Sequence, residues 1–120
     1  MKRTFLALVA LTIASTNAFA SRSTAPAQIA FIAFGTTGIV TVYVAITPGT
    51  NVPITAIPTC VSSQNIGNTY DYVFDSTTPA GKSMLAGLTA FHTAGINVWI
   101  SGTGDCGLVS GNETLQGFLG

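Results

Sequence analysis

The chain has 120 residues, of which 48% are hydrophobic and only 7% are charged. Nucleic acids and anionic membrane surfaces are bound by basic patches, and four basic residues balanced by four acidic ones argue against both kinds of partner. The low charge leaves two explanations for the surface of the folded protein. Either Ser, Thr, Asn and Gly cover it, or part of it is buried in an oligomer.

The N-terminus has the three parts of a secretory signal peptide. Lys2 and Arg3 form a positive region, residues 5–13 are apolar, and an A-x-A cleavage site ends at Ala20. We therefore predict a signal peptide over 1–20 and a mature protein that is secreted or periplasmic. The apolar run is too short to span a membrane, and we expect no span in the mature chain.

The rest of the chain predicts one small domain with several strands. Residues 21–27 are predicted to be a flexible leader, and residues 28–120 a single domain. Runs rich in β-branched and aromatic residues predict strands at 28–34, 38–46, 70–74, 96–102 and 113–119. The run 54–60 contains Pro58 and follows Pro53, so it predicts at most an edge strand.

One helix is predicted before the last two strands. Thr78 is a good N-cap, Pro79 fits the first turn, and Gly95 is typical of the residue just after a helix. The order of elements predicts an α+β, mostly β domain with a five- to six-stranded curled antiparallel sheet or barrel. An OB-like barrel is the best-known member of that class.

A stripe of small residues runs along this predicted helix. Its members are Ser83, Gly87, Ala90 and Ala94. Small residues allow another backbone to approach closely, so the stripe either packs on the sheet of its own subunit or forms a helix–helix contact between subunits.

The stretch "DSTTPAGKSML" (75–85) resembles the end of the phosphate-binding motif G-x-x-x-x-G-K-[ST]. Gly81, Lys82 and Ser83 match, but Ser76 stands where the first glycine is needed. A phosphate loop wraps its ligand with successive backbone N–H groups, and Pro79 removes one of them. The stretch therefore predicts a helix start, and we expect no nucleotide and no cofactor.

No constellation of residues predicts catalysis or metal binding. His92 is the only histidine, and it lies on the apolar face of the predicted helix. A paired acid and base would have to come from Asp71, Asp75, Asp105 and Glu113, and turn and edge positions explain the three aspartates. We therefore expect that the protein is not an enzyme.

The chain has two cysteines, Cys60 and Cys106, and both lie beyond the signal peptide. Two cysteines in an oxidising compartment predict one disulfide. Two free thiols or a metal-binding pair are the alternatives, and a metal site would need further ligands.

The segment "AGINVWISGTGDC" (94–106), together with the Ala- and Leu-rich helix before it, carries a family resemblance. It resembles the binding (B) subunits of subtilase-type and typhoid-type bacterial toxins. It is also similar to a broad set of small secreted bacterial proteins. The resemblance is best over residues 75–106.

This resemblance implies an OB-fold, a pentameric ring with the helices around its axis, and glycan binding by the sheet, with a toxin A subunit as a further partner. In those toxins a Ser-Gly at the start of an early strand contacts sialic acid, and Thr37 and Gly38 occupy that place here. Tyr43 and Trp99 are aromatic residues that could stack on a sugar ring or pack on the sheet.

Two classes of function compete on these grounds. The first is a secreted, non-enzymatic glycan-binding module of the toxin B-subunit type. The alternative is a secreted or periplasmic structural or interaction protein that binds no sugar. A small secreted enzyme or enzyme inhibitor has no positive feature in the sequence.

Overall fold

The computed structural model describes residues 20–45, 54–62 and 69–120, so the predicted signal residues 1–19 lie outside it. The described residues form one mostly-β domain with a seven-stranded sheet and one helix. The elements are β1 (Arg22–Ser23), β2 (Ile29–Phe34), β3 (Ile39–Ala45), β4 (Ile54–Thr55), β5 (Thr69–Asp75), α1 (Pro79–Ala94), β6 (Trp99–Gly102) and β7 (Glu113–Leu119). The spatial order of the strands is β2-β3-β5-β7-β6-β1-β4.

The sheet is mixed, so the prediction of an antiparallel sheet is wrong at one place. β5 and β7 run parallel, with Tyr72 opposite Glu113 and Val73 opposite Thr114, while every other named pair is antiparallel. Parallel neighbours need a long connection between them. Here α1 and β6 supply that connection, which carries the chain back before β7 enters beside β5.

Residues 21–27, predicted to be a flexible leader, are instead part of the sheet. Arg22 pairs with Thr55 on one side and with Ser101 on the other. Ala27 and Val98 exchange two backbone hydrogen bonds, of 2.7 and 2.8 Å. Backbone pairing with β4 and β6 thus orders a segment whose composition offers few apolar side chains, and β1 is the seventh strand.

The core lies between the inner face of the sheet and α1. β3 alternates, with Val40, Val42 and Val44 buried, whereas β5 buries Tyr70, Tyr72 and Phe74 on one face and Val73 on the other. Leu88 is the fully buried side chain that α1 contributes. Ile96, which begins the predicted strand 96–102, is 45% exposed because β6 begins only at Trp99.

The helix begins and ends where the sequence predicts. The Thr78 hydroxyl accepts a hydrogen bond of 2.9 Å from the Gly81 N–H, and Pro79 is the first helical residue. Gly95 ends the helix with φ of 70°, a left-handed conformation that glycine adopts without strain. These local signals therefore fix both ends of α1.

The predicted disulfide is confirmed. Cys60, after β4, is bonded to Cys106 in the connection between β6 and β7, and the chain has no free cysteine. The bond fastens the β4 end of the sheet to the loop that precedes β7.

Candidate functional site

An open groove lies on the outward face of β1, β6 and β7. Its volume is about 310 Å³, and its lining includes Arg22, Ser23, Trp99, Ser101, Gly117 and Leu119. Three strands that are far apart in the chain contribute to it. The groove therefore exists only once the sheet has assembled.

The register of the strands places these side chains together. Ser101 pairs with Gly117 on one side and with Arg22 on the other, and Trp99 pairs with Leu119. Because alternate residues of a strand share a face, Trp99 and Ser101 point the same way. A methyl group added at Gly117 would meet nothing within 4 Å, so the floor of the groove is open on the β7 side of Trp99 and Ser101.

The groove combines apolar surface with polar groups. Trp99 is 45% exposed and Leu119 is 71% exposed, so both present apolar surface to solvent in the groove. Arg22 offers a fork of N–H donors, and Ser101 offers a hydroxyl that can donate or accept. Such a set suits a ligand that has one apolar face and carries hydroxyl or carboxylate groups.

Thr37 and Gly38, the predicted sugar contacts of an early strand, lie in the turn between β2 and β3. Gly38 has φ of 87°, which favours glycine, and its carbonyl accepts hydrogen bonds from the N–H (2.9 Å) and the hydroxyl (2.6 Å) of Ser76. Thr37 is exposed. The structure thus gives Gly38 a role in joining this turn to the start of α1.

Tyr43 lies on the outward face of β3, where its ring stacks on that of Phe31 with centroids 4.2 Å apart. β3 is separated from β6 by β5 and β7, which places Tyr43 roughly 14 Å from Trp99 along the sheet. The four residues predicted to bind sugar therefore lie at three separate places, and the groove described above is at Trp99.

A buried polar cluster lies on the inner side of the sheet near β1. Glu113 is fully buried and accepts hydrogen bonds from the Tyr70 hydroxyl (2.7 Å), the Gly104 N–H (2.9 Å) and the Ser21 N–H (3.2 Å). The Ser21 hydroxyl also donates to this carboxylate, and its oxygen lies 2.7 Å from that of Tyr72. Burial raises the pKa of both Tyr70 and Tyr72 well above the usual range, and the bond to Glu113 adds to the shift at Tyr70.

The sequence reasoning missed this cluster and the role of Arg22. Two signals pointed to the cluster: Glu113 and Leu115 share one face of β7, and Tyr70 and Tyr72 share one face of β5. A carboxylate at an inward position needs donors, and two tyrosines on a neighbouring strand can supply them. Nothing in the sequence placed Ser21 beside them.

The predicted stripe on α1 divides between two environments. A methyl group added at Gly87 would lie 2.9 Å from the ring of Phe118, so Gly87 faces β7 of its own subunit. Ser83, Ala90 and Ala94 are exposed on the helix surface. The contact with Phe118 accounts for the glycine, while the other three remain available to a second helix.

Two N–H groups around the start of α1 are bonded within the chain. The Gly81 N–H is bonded to the Thr78 hydroxyl, and the Thr77 N–H is bonded to the Asp75 carboxylate at 2.9 Å. The hydroxyl and N–H of Thr77 hold the pKa of Asp75 below its usual range. An exposed negative charge at this point opposes the binding of a phosphate group.

The remaining ionisable side chains that could serve catalysis are dispersed. His92 donates from Nδ1 to the carbonyl of Ile29 at 3.1 Å, and Asp71 accepts from the Thr69 hydroxyl at 2.9 Å. The Gly107 N–H, followed by the Thr103 hydroxyl, lowers the pKa of Asp105. Within residues 20–45, 54–62 and 69–120, no three His, Cys, Asp or Glu side chains form a group suited to a metal ion.

No helix in the described part of the chain is long and apolar enough to cross a membrane. Comparisons with protein-family models, with curated proteins and with solved structures return no match. Among the described residues, the groove at Trp99 and the buried cluster at Glu113 are the features from which the proposals below are argued.

Proposed function

We propose that the protein is a secreted, non-enzymatic glycan-binding module of the toxin B-subunit type, and that its sugar site is the groove at Trp99. The observation that carries the proposal is the exposed indole beside an open floor at Gly117, with Arg22 and Ser101 on the rim. Sugars present C–H faces that stack on aromatic rings, and hydroxyls that bond to polar rims. The resemblance over residues 75–106 supports the same function.

We extend the proposal to an OB-like barrel. Three features support it: α1 lies between β5 and β6, β5 runs parallel to β7, and the Ala27–Val98 bridge joins the segment before β2 to the segment before β6. Closing a sheet into a barrel requires contacts between segments that are far apart in the strand order. The bridge stands where such a closure is needed.

Arg22 directs the proposal toward acidic sugars. After removal of the predicted signal peptide, Arg22 and Lys82 are the only basic residues of the chain. A guanidinium group binds a carboxylate with two parallel hydrogen bonds. A glycan ending in a carboxylate-bearing sugar, such as a sialic acid, therefore fits the groove better than a neutral one.

Trp99→Ala is expected to weaken binding of the recognised glycan by about tenfold or more, because truncation removes the stacking surface of the groove. A glycan array with the folded mature protein would identify the ligand, and titration calorimetry would then give the dissociation constants of both proteins. Arg22→Gln should weaken the binding of acidic glycans more than the binding of their neutral analogues.

Phe34→Ala is the matched control, since Phe34 is 68% exposed on β2, away from the groove. The Phe34→Ala protein should bind the glycan with the same affinity as the unaltered protein. Loss of binding in Tyr43→Ala but not in Trp99→Ala would move the site to the β3 surface. An array on which folded protein binds no glycan would favour the alternative function, a structural or interaction protein of the envelope.

We further propose that the protein is a homo-oligomer, a pentamer as the resemblance implies, in which α1 contacts α1 of neighbouring subunits. The exposed small side chains of Ser83, Ala90 and Ala94 support this arrangement because they let two helices approach closely. Gly87 is left out of the contact, since Phe118 already covers it.

Ala90→Arg is expected to dissociate this oligomer into folded monomers, because a large charged side chain would separate the helices. Light scattering would give the mass, and circular dichroism would show that the fold is retained. Thr89→Arg is the control, an exposed position about 100° around the helix from Ala90. A monomeric unaltered protein, or equal masses for both variants, would contradict the proposal.

A further inference from the structure

The Glu113 carboxylate is buried among uncharged donors. It is fully shielded from solvent, and its side chain lies directly over Gly102, where an added methyl group would overlap Oε2. Its described partners are the N–H groups of Ser21 and Gly104 and the hydroxyls of Ser21 and Tyr70. A buried carboxylate is costly to desolvate, and a positive partner offsets much of that cost.

The predicted signal cleavage would create a positive charge at this point. Hydrolysis of the Ala20–Ser21 peptide bond by a signal peptidase consumes one water molecule, leaving a carboxylate on Ala20 and a primary amine on Ser21. At neutral pH that amine is largely protonated. Its nitrogen is the atom that lies 3.2 Å from Oε2 of Glu113.

From this geometry we infer that the α-ammonium group of mature Ser21 forms a buried ion pair with Glu113, so that signal cleavage completes the fold. The ion pair uses a nitrogen that already donates to the carboxylate as an amide. Cleavage replaces one uncharged N–H with a charged group that has three donors. The inference depends on cleavage after Ala20 and not on glycan binding.

The rest of Ser21 is held in a way that fixes the position of this nitrogen. The Ser21 carbonyl accepts a hydrogen bond of 2.9 Å from the Gly102 N–H, and its hydroxyl contacts both Tyr72 and Glu113. The next residue, Arg22, pairs with strands on both sides. A mature chain one residue longer would therefore carry its charge outside the pocket and leave only the amide inside.

The mature chain provides an internal control for a chemical test. Once residues 1–20 are removed, it contains two primary amines, the α-amine of Ser21 and the ε-amine of Lys82. An exposed α-amine loses its proton near pH 8 and a lysine near pH 10, so an acylating reagent at about pH 7.5 normally prefers the α-amine. Burial and pairing with Glu113 should reverse that preference.

The experiment uses protein exported by a bacterium with its own leader. Its intact mass should correspond to a first residue of Ser21. In the folded protein, acylation of Ser21 should be at least about tenfold slower than in the urea-unfolded protein, while Lys82, which is exposed, reacts at similar rates in both. A mature chain with a different first residue, or a Ser21 amine that reacts equally fast in both states, would overturn the inference.

Two variants separate the ion pair from a structural hydrogen bond. Inserting glycine between Ala20 and Ser21 keeps the amide and moves the charge, so this protein should fold; its unfolding equilibrium constant should rise about 10- to 100-fold. Glu113→Gln removes the negative partner. In the Glu113→Gln protein, the glycine insertion should not change the unfolding equilibrium constant any further. The Ser21 amine of that protein should regain its usual reactivity.

If Glu113→Gln does not fold, the insertion variant still decides the matter. An insertion variant as stable as the unaltered mature protein would overturn the ion pair.

Discussion

Gly81→Ala is expected to destabilise the domain strongly, although alanine ordinarily strengthens a helix. The new Cβ atom would overlap the carbonyl oxygen of Asp75 and lie 3.0 Å from Cα of Ser76. Both are backbone atoms, so no side-chain rotation can relieve the overlap, and the first turn of α1 must move away from β5. We expect the free energy of unfolding to fall by about 3 kcal/mol or more.

The predicted loss of stability is opposite in sign to the usual effect of replacing a helical glycine by alanine. At an exposed helix position the same substitution would stabilise by about 1 kcal/mol. Urea denaturation followed by circular dichroism would measure the change. Gly117→Ala is the matched control, because its new methyl group meets nothing within 4 Å. The urea midpoint of this variant should barely change. A Gly81→Ala protein as stable as the control would show that α1 does not begin against Asp75.

Replacement of both cysteines by serine is expected to lower the free energy of unfolding by up to about 4 kcal/mol. The bond between Cys60 and Cys106 spans 46 positions, and a crosslink over a long loop removes much of the conformational entropy of the unfolded chain. Small domains have little stability to spare, so a loss of this size is a large part of the total.

Reductant provides the check on the disulfide prediction. Adding it to the unaltered protein should shift the urea midpoint toward that of the double variant, and it should leave the double variant unchanged. Cys60 is exposed, so the reagent can reach the bond. If reductant does not change the urea midpoint of the unaltered protein, the disulfide contributes nothing to stability.

The sequence was sufficient for features whose causes are local. Thr78, Pro79 and Gly95 placed both ends of α1, because capping depends on residues within one turn. Runs of β-branched and aromatic residues placed the long strands β3 and β5. The cysteine pair followed from the oxidising compartment that the signal peptide predicts.

Features that depend on distant partners were not predictable in this way. β1 has only two residues, and its order comes from pairing with Thr55 and Ser101 far along the chain. The parallel entry of β7 beside β5 likewise has no local signature. At the candidate groove, Trp99 was foreseeable as an outward aromatic residue, whereas Arg22 and Gly117 become its neighbours only through the register of three strands.

The position of β7 has a consequence for the order of folding. It is the last strand along the chain, yet it lies in the middle of the sheet between β5 and β6. Until it arrives, the β2-β3-β5 meander and the β6-β1-β4 group have no common neighbour, and the contact of Ser21 with Glu113, 92 positions away, cannot form. Folding through such distant contacts is slow. In a chain still being synthesised, without β7, the backbone bridge between Ala27 and Val98 is therefore the main link between these two groups of strands.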